Sequence, residues 1–249
     1  MASGPRLQDA VVIVTGGSRG IGRAIVRKAR DEGATVIPFD VAPPPEADPA
    51  FLRADVTAEA EVAAAVAAVL DRHGRIDVLI NNAGVNAYFD AAAMTEAEWD
   101  GVFAVDLKGA WLCAKHVLPG MRARRRGAIV NIASIHATLT IAGMFPYAAA
   151  KSGLVGLTRS LALDEARHGI RVNAVAPGWT RTHLVEEWFA LQPDPAAAEA
   201  SIMKVHPLGR IATPAEVANL VCFVASDEAS AITGASLAVD CGLGVQFST

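Results

Sequence analysis

Short apolar runs recur along the chain at residues 11–14, 35–39, 78–80, 128–132, 172–176 and 236–239, each bounded by turn residues and largely β-branched. Runs of this kind, with no alternation of polar and apolar positions, predict strands buried on both faces of a parallel sheet. Residues 51–55 predict one further strand. Between the runs, apolar positions fall into helical period, as at Val62, Val66, Val69 and Leu70, with Thr57 as the expected N-cap and Gly74 as the stop. Thr95 and Glu98 have the spacing of a capping box at the start of another helix. Strand and helix alternate throughout, so residues 1–249 are predicted to form a single α/β domain. Its centre would be one doubly wound parallel sheet of about seven strands, with helices on both faces. The proline-rich stretch 42–49 reads as a surface loop, being too short for an interdomain linker.

Composition narrows the function classes. Hydrophobic residues make up 52% of the chain, yet no apolar run reaches membrane-spanning length, which predicts a large core and no membrane span. The opening MASGPRLQDA carries one Arg and no hydrophobic segment, so neither a secretory nor a transit peptide is expected and the cytoplasm is the expected location. Cys113, Cys222 and Cys241 are odd in number and widely spaced, as structural reduced thiols would be. A net charge of -4 argues against nucleic-acid binding, and the basic cluster 122–126 reads as a solvated helix end favoured by the dipole. The 6 His form no HxxxH or HExxH pair and no CxxC accompanies them, so no catalytic metal is expected.

The first strand is followed by Thr15-Gly16-Gly17-Ser18-Arg19-Gly20-Ile21-Gly22, which leads straight into a helix. Glycines here allow a tight turn and let backbone N–H groups approach a pyrophosphate at the helix N-terminus. The next strand ends in Asp40, 40 − 22 = 18 residues after the last glycine. That is near the ~20 expected for the acid of a Rossmann-type dinucleotide site, where it accepts from the adenosine ribose hydroxyls. Its charge would oppose a 2′-phosphate, whereas Arg19 would favour one; the acid at the ribose itself predicts NAD over NADP.

Tyr147 and Lys151 lie four residues apart at the start of a predicted helix, hence on one face. A phenol titrates at about pH 10 and is a poor base at neutrality, but a nearby ammonium favours the phenolate. With TGGSRGIG at 15–22, Asp55-Val56, NNAG at 81–84, Ser134, Tyr147-x-x-x-Lys151 and Pro177-Gly178 with Thr182, the sequence resembles the short-chain dehydrogenase/reductase family along essentially its whole length. That resemblance implies hydride transfer between a nicotinamide cofactor and an alcohol or carbonyl. Tyr147 would be the general acid/base, Lys151 its activator and a holder of the nicotinamide ribose, and Ser134 a donor to the reacting oxygen. Gly16, Ser18, Arg19, Gly20, Ile21 and Gly22 would receive the pyrophosphate end and Asp40 the ribose. Asp55 with Val56 would lie at the adenine, and Asn82, Ala83 and Gly84 along the cofactor. Pro177, Gly178, Thr180 and Thr182 would take the carboxamide. The family usually has Asn where this chain has Asp106; a carboxylate there would favour protonated Lys151, and a changed pH optimum is expected.

Substrate contacts are expected from Asn86, Tyr88, His136, Trp179, His183 and Trp188, the last three on an insert at 179–206 that would cover the substrate. Polar groups outnumber apolar ones among these candidates, which suits a sugar or polyol. One rival reading is an NADP-dependent reductase of 3-oxoacyl thioesters. Another is a nucleotide-sensing protein without turnover, disfavoured by the intact Ser134, Tyr147 and Lys151. The resemblance also implies a homotetramer. The apolar segment 237–247 is compatible with core, interface or pocket wall.

Overall fold

A computed structural model describes residues 4–246. Seven parallel strands form one sheet in the order β3-β2-β1-β4-β5-β6-β7. They are β1 Val11–Thr15, β2 Thr35–Asp40, β3 Leu52–Arg53, β4 Val78–Asn81, β5 Gly127–Ile132, β6 Ile170–Pro177 and β7 Ser236–Val239. The helices are α1 Gly20–Asp31, α2 Glu59–His73, α3 Glu96–Phe103, α4 Gly109–Arg124, α5 Phe145–Glu165, α6 His183–Ala190, α7 Pro195–Lys204 and α8 Pro214–Ala225.

The five central strands β1, β2, β4, β5 and β6 send alternate side chains to two separate cores, which is why their apolar runs are unbroken. Ile13, Ile37, Phe39, Leu79, Ile129 and Val172 pack under α2, α4 and the end of α5. Val12, Val14, Val36, Ile80, Val130 and Val175 pack under α1 and α8. Cys113 lies in the first core and Cys222 in the second, and burial pushes both thiols up to about 12. Cys241 is half-buried, and all three are free. Leu237 and Val239 pack against the second core, while Phe247, at the end of the apolar 237–247 segment, lies outside the described residues, as do Met1, Ala2 and Ser3. No helix of the described residues is long and apolar enough to cross a membrane.

The local signals fare unevenly. The Thr95–Glu98 capping box forms in both directions, and Gly74 closes α2 in the left-handed conformation. Thr57 does not cap α2: the N-cap is Ala58, because the Thr57 hydroxyl donates instead to Asp55 Oδ1 at 2.7 Å. The strand expected at 51–55 shrinks to two residues at the sheet edge, since Asp55 is drawn out of the ladder into that turn. The arginines of 122–126 are not simply solvated. Arg122 pairs with the buried Glu165, Arg124 with Asp77 and Arg126 with Asp227, tying the end of α4 to neighbouring elements.

Candidate active site

The strand order reverses between β1 and β4, and in an open parallel sheet that reversal opens a crevice beyond the carboxyl ends of the strands. A cleft of about 1150 Å³ lies there. Gly16, Arg19, Gly20, Ile21 and Gly22 line it where α1 begins. The crossing is tight: a Cβ on Gly22 would overlap the Gly16 carbonyl oxygen. Asn82 fastens the loop from the other side, its Nδ2 donating to the Thr15 and Gly16 carbonyls at 3.0 Å each. Overpacking a site of this kind costs about 1–3 kcal/mol. Gly22→Ala is therefore expected to weaken dinucleotide binding roughly tenfold or more, read by tryptophan fluorescence titration. Unchanged affinity would show that the close approach is not used in binding.

Asp40 at the end of β2 and Asp55 with Val56 just after β3 line the cleft on that side. Asp40 Oδ2 accepts from Ser18 N at 3.1 Å and Oδ1 from Val41 N at 2.8 Å and Ala42 N at 3.4 Å, leaving a spare lone pair on Oδ2. Ser18 itself is buried, its hydroxyl donating to the Ala42 carbonyl at 2.6 Å, so it shapes the loop from behind and does not line the cleft. The 42–49 loop is fixed by a cluster the sequence did not disclose. Asp48, its side chain 2% exposed, pairs with Arg23 and Arg30 of α1 at 2.9 Å each. Arg30 chiefly, then Arg23, hold its carboxyl below the usual range against the opposing effect of burial.

The chemical centre forms where α5, the end of β5 and an irregular stretch between α3 and α4 meet. Pro146 opens α5, Tyr147 follows half-buried, and Lys151 one turn later is 3% exposed. Lys151 Nζ lies 5.4 Å from the centre of the Tyr147 ring, donates to the Ile132 carbonyl at 3.2 Å and pairs with Asp106 Oδ1 at 3.1 Å. Ser134 accepts the His136 N–H on its Oγ at 3.2 Å, which leaves its own hydroxyl proton free to donate into the cleft. Asp106 sits in a π turn, Ala104–Lys108, and is 1% exposed. Burial raises its carboxyl above the ordinary range, with Lys151 acting the other way. For Lys151, burial alone would lower the ammonium; the charges of Tyr147 and Asp106 outweigh it and the net direction is up.

Pro177 ends β6 at the cleft and Gly178, Thr180 and Thr182 follow it along the wall, with Ala83, Gly84 and Asn82 opposite. Asn86, Tyr88, His136, Trp179 and His183 line its outer end. Trp188 does not: α6 turns its ring onto Trp179, with centroids 5.1 Å apart, and onto Phe189. Ile141, Met144, Leu184 and Val185, absent from the sequence reading, are also on this wall. The first two belong to a coil before α5 with no period to mark an inward face, and α6 is too short for its apolar positions to distinguish cleft from core. The His136 ring stands edge-on to Tyr147, centroids 5.7 Å apart, and burial lowers its pKa.

Residues 16–244 match the family model described as enoyl-(acyl carrier protein) reductase. The 3-oxoacyl-[acyl-carrier-protein] reductase of Thermotoga maritima is 38% identical over 251 residues, 96% of this chain and 99% of that protein. The cis-4-hydroxycyclohexanecarboxylate dehydrogenase of Sinomonas cyclohexanicum is 41% identical, covering 96% of this chain and 98% of its own. Among solved structures, the ligand-free aldohexose dehydrogenase of Thermoplasma acidophilum superposes with a TM-score of 0.94 at 38% identity, covering 99% of each chain.

Proposed function

Because the chain belongs to the short-chain dehydrogenase/reductase family and is an oxidoreductase of alcohol and ketone groups using a nicotinamide cofactor, we propose that it interconverts a sugar or polyol and its carbonyl form with NAD. The observation that carries the reading is the convergence of Ser134, Tyr147 and Lys151 on the cleft that the glycine loop opens. The glycine cradle and the N-terminus of α1 fit a pyrophosphate, and Asp40, with a spare lone pair on Oδ2, fits a ribose hydroxyl. When bound, the nicotinamide supplies or accepts the hydride.

The protein's own groups do the rest. Ser134 donates to the substrate oxygen and fixes its position. Tyr147 Oη takes the alcohol proton on oxidation and returns it on reduction. Lys151, held by the Ile132 carbonyl and Asp106, keeps a positive charge beside the phenol and faces the nicotinamide ribose. Pro177, Gly178, Thr180 and Thr182 orient the carboxamide. Residues 179–206, with α6 and α7, close over the substrate and exclude water.

Asn86, His136 and His183 offer hydrogen bonds beside the apolar faces of Trp179, Ile141 and Met144, a mixture suited to a sugar ring. The hexose-oxidising structural neighbour supports the same choice. Among the described cleft residues, the Lys and Arg are Lys151 and Arg19, so the outer end favours a neutral substrate. Thioester reduction with NADP is the second reading, favoured by the Thermotoga relative and by Arg19 at the adenosine end. We also read the chain as a cytoplasmic homotetramer, supported by its buried free thiols and by exposed Trp111 and Leu163 on α4 and α5.

The test offers both oxidised cofactors with aldoses, polyols, secondary alcohols and 3-hydroxyacyl thioesters, following reduced-cofactor absorbance. Turnover of NAD with a sugar is expected; turnover confined to NADP and thioesters would replace this reading with the second. At ~4 Å and an effective dielectric near 20, like charges repel by roughly 4 kcal/mol, an upper bound once solvent screens them. Asp40→Ser is therefore expected to move the ratio of NAD to NADP efficiency by tenfold or more toward NADP. An unmoved ratio would remove Asp40 from the cofactor site.

A further inference from the structure

We propose that Asp106 is a positioning residue that sets the pH at which Tyr147 exchanges its proton, by placing a fixed negative charge against Lys151. The inference rests on the reading of Tyr147 as acid/base. Asp106 Oδ1 is committed twice, to Lys151 Nζ at 3.1 Å and to Val85 N at 3.2 Å, while Oδ2 is buried with no partner among the described residues. An aspartate so enclosed is compensated by Lys151, the one cation it touches among the described residues. Gly84 makes the approach possible: a Cβ there would stand 2.6 Å from Asp106 Oδ1 and 3.2 Å from Lys151 Nζ, wedged into the pair.

The surroundings supply little else that is charged. The turn after β4 contributes the Gly84 backbone and the Val85 N–H, and β5 the Ile132 carbonyl. Val102, at the end of α3, belongs to the buried apolar cluster against which Tyr147 packs. The turn after Ser134 brings His136, which burial keeps below its ordinary range, and the 86–89 segment brings Tyr88, pushed up by burial first and by Tyr147 second. Among the described residues, Lys151 is thus the fixed charge beside Tyr147, and Asp106 the one beside Lys151. The ammonium favours phenolate and the carboxylate offsets part of that, an opposition worth roughly one pH unit at an effective dielectric near ~20.

The chain contains 2 tyrosines, Tyr88 and Tyr147, so in a Tyr88→Phe background the tyrosinate absorbance titration reads Tyr147 alone, without substrate. Asp106→Asn is expected to lower its midpoint by roughly one pH unit and to move the acid limb of the alcohol-oxidation profile the same way. Asp106→Glu, which keeps the charge, is expected to leave the midpoint in place. Asp106→Ser gives the same reading as Asn should the latter fail to fold. A midpoint that stays or rises in the neutral variants overturns the proposal, because Asp106 would then be a protonated hydrogen-bonding group. A shifted titration in a protein that turns over no substrate would count against the proposed function alone; normal turnover with an unmoved titration would count against Asp106 alone.

Discussion

Tyr147→Phe is expected to lower turnover by about 10²–10⁴-fold while leaving dinucleotide affinity unchanged. The substitution removes one oxygen and keeps the ring, so the half-buried packing of Tyr147 against Ala87, Val102 and Ala150 survives. Lys151 keeps its bonds to Ile132 and Asp106. What disappears is the group that exchanges a proton with the substrate oxygen. Steady-state rates together with a fluorescence titration of the dinucleotide separate the two effects. The same pair of measurements disposes of a nucleotide-sensing role: a protein that binds without turnover would show no rate to lose.

Lys151→Met is expected to act on stability as well as on rate. A buried ion pair broken from one side leaves an uncompensated charge, at a cost of about 3–5 kcal/mol. In a chain of this length that is a fall in Tm of roughly 10 °C. The deficit should depend on pH with a definite sign. Burial raises the Asp106 carboxyl, and a group whose folded-state value is raised contributes stability below its unfolded value and loses it as pH rises. The variant should therefore lie nearest the parent in acid, where Asp106 takes up a proton, and fall away from it as pH rises through the carboxylate range and beyond. Adding Asp106→Leu removes the stranded charge, so the double variant should recover most of the Tm while remaining inactive. A double variant as unstable as Lys151→Met would place the cost in lost packing of the lysine stem.

Sequence period carried the strands and sheet class because the central strands are buried on both faces, which leaves no polar alternation in them to confuse with a helix. The glycine loop and the Tyr147/Lys151 pair were legible for a related reason: their geometry is local, set within one turn of chain. Features built across long separations were hidden. Asp48 reads as one acid in a proline-rich loop until α1 brings Arg23 and Arg30 onto it. Asn81, Asn131 and Thr158 form a buried hydrogen-bonded chain beneath the site, 2.9 Å at each link, from three separate elements. Ser18 and Trp188 stand off the cleft wall, because sequence spacing gives a residue's position along an element and says nothing of which neighbour its side chain meets. Thr57 failed as a cap because a carboxylate two residues away offered its hydroxyl a better acceptor.

The π turn that carries Asp106 spends one more residue per hydrogen-bonded ring than an α-helix does, as the Gly109 N–H reaching back to the Ala104 carbonyl shows. Excising one residue there would let α3 and α4 run on as a single regular helix with better backbone bonds. It would also rotate everything on one side of the cut by about 100°, carrying Asp106 away from Lys151. Backbone regularity and the buried ion pair therefore pull in opposite directions on this stretch: the deletion would improve the bonds of one helix and strand the Lys151 charge in the interior.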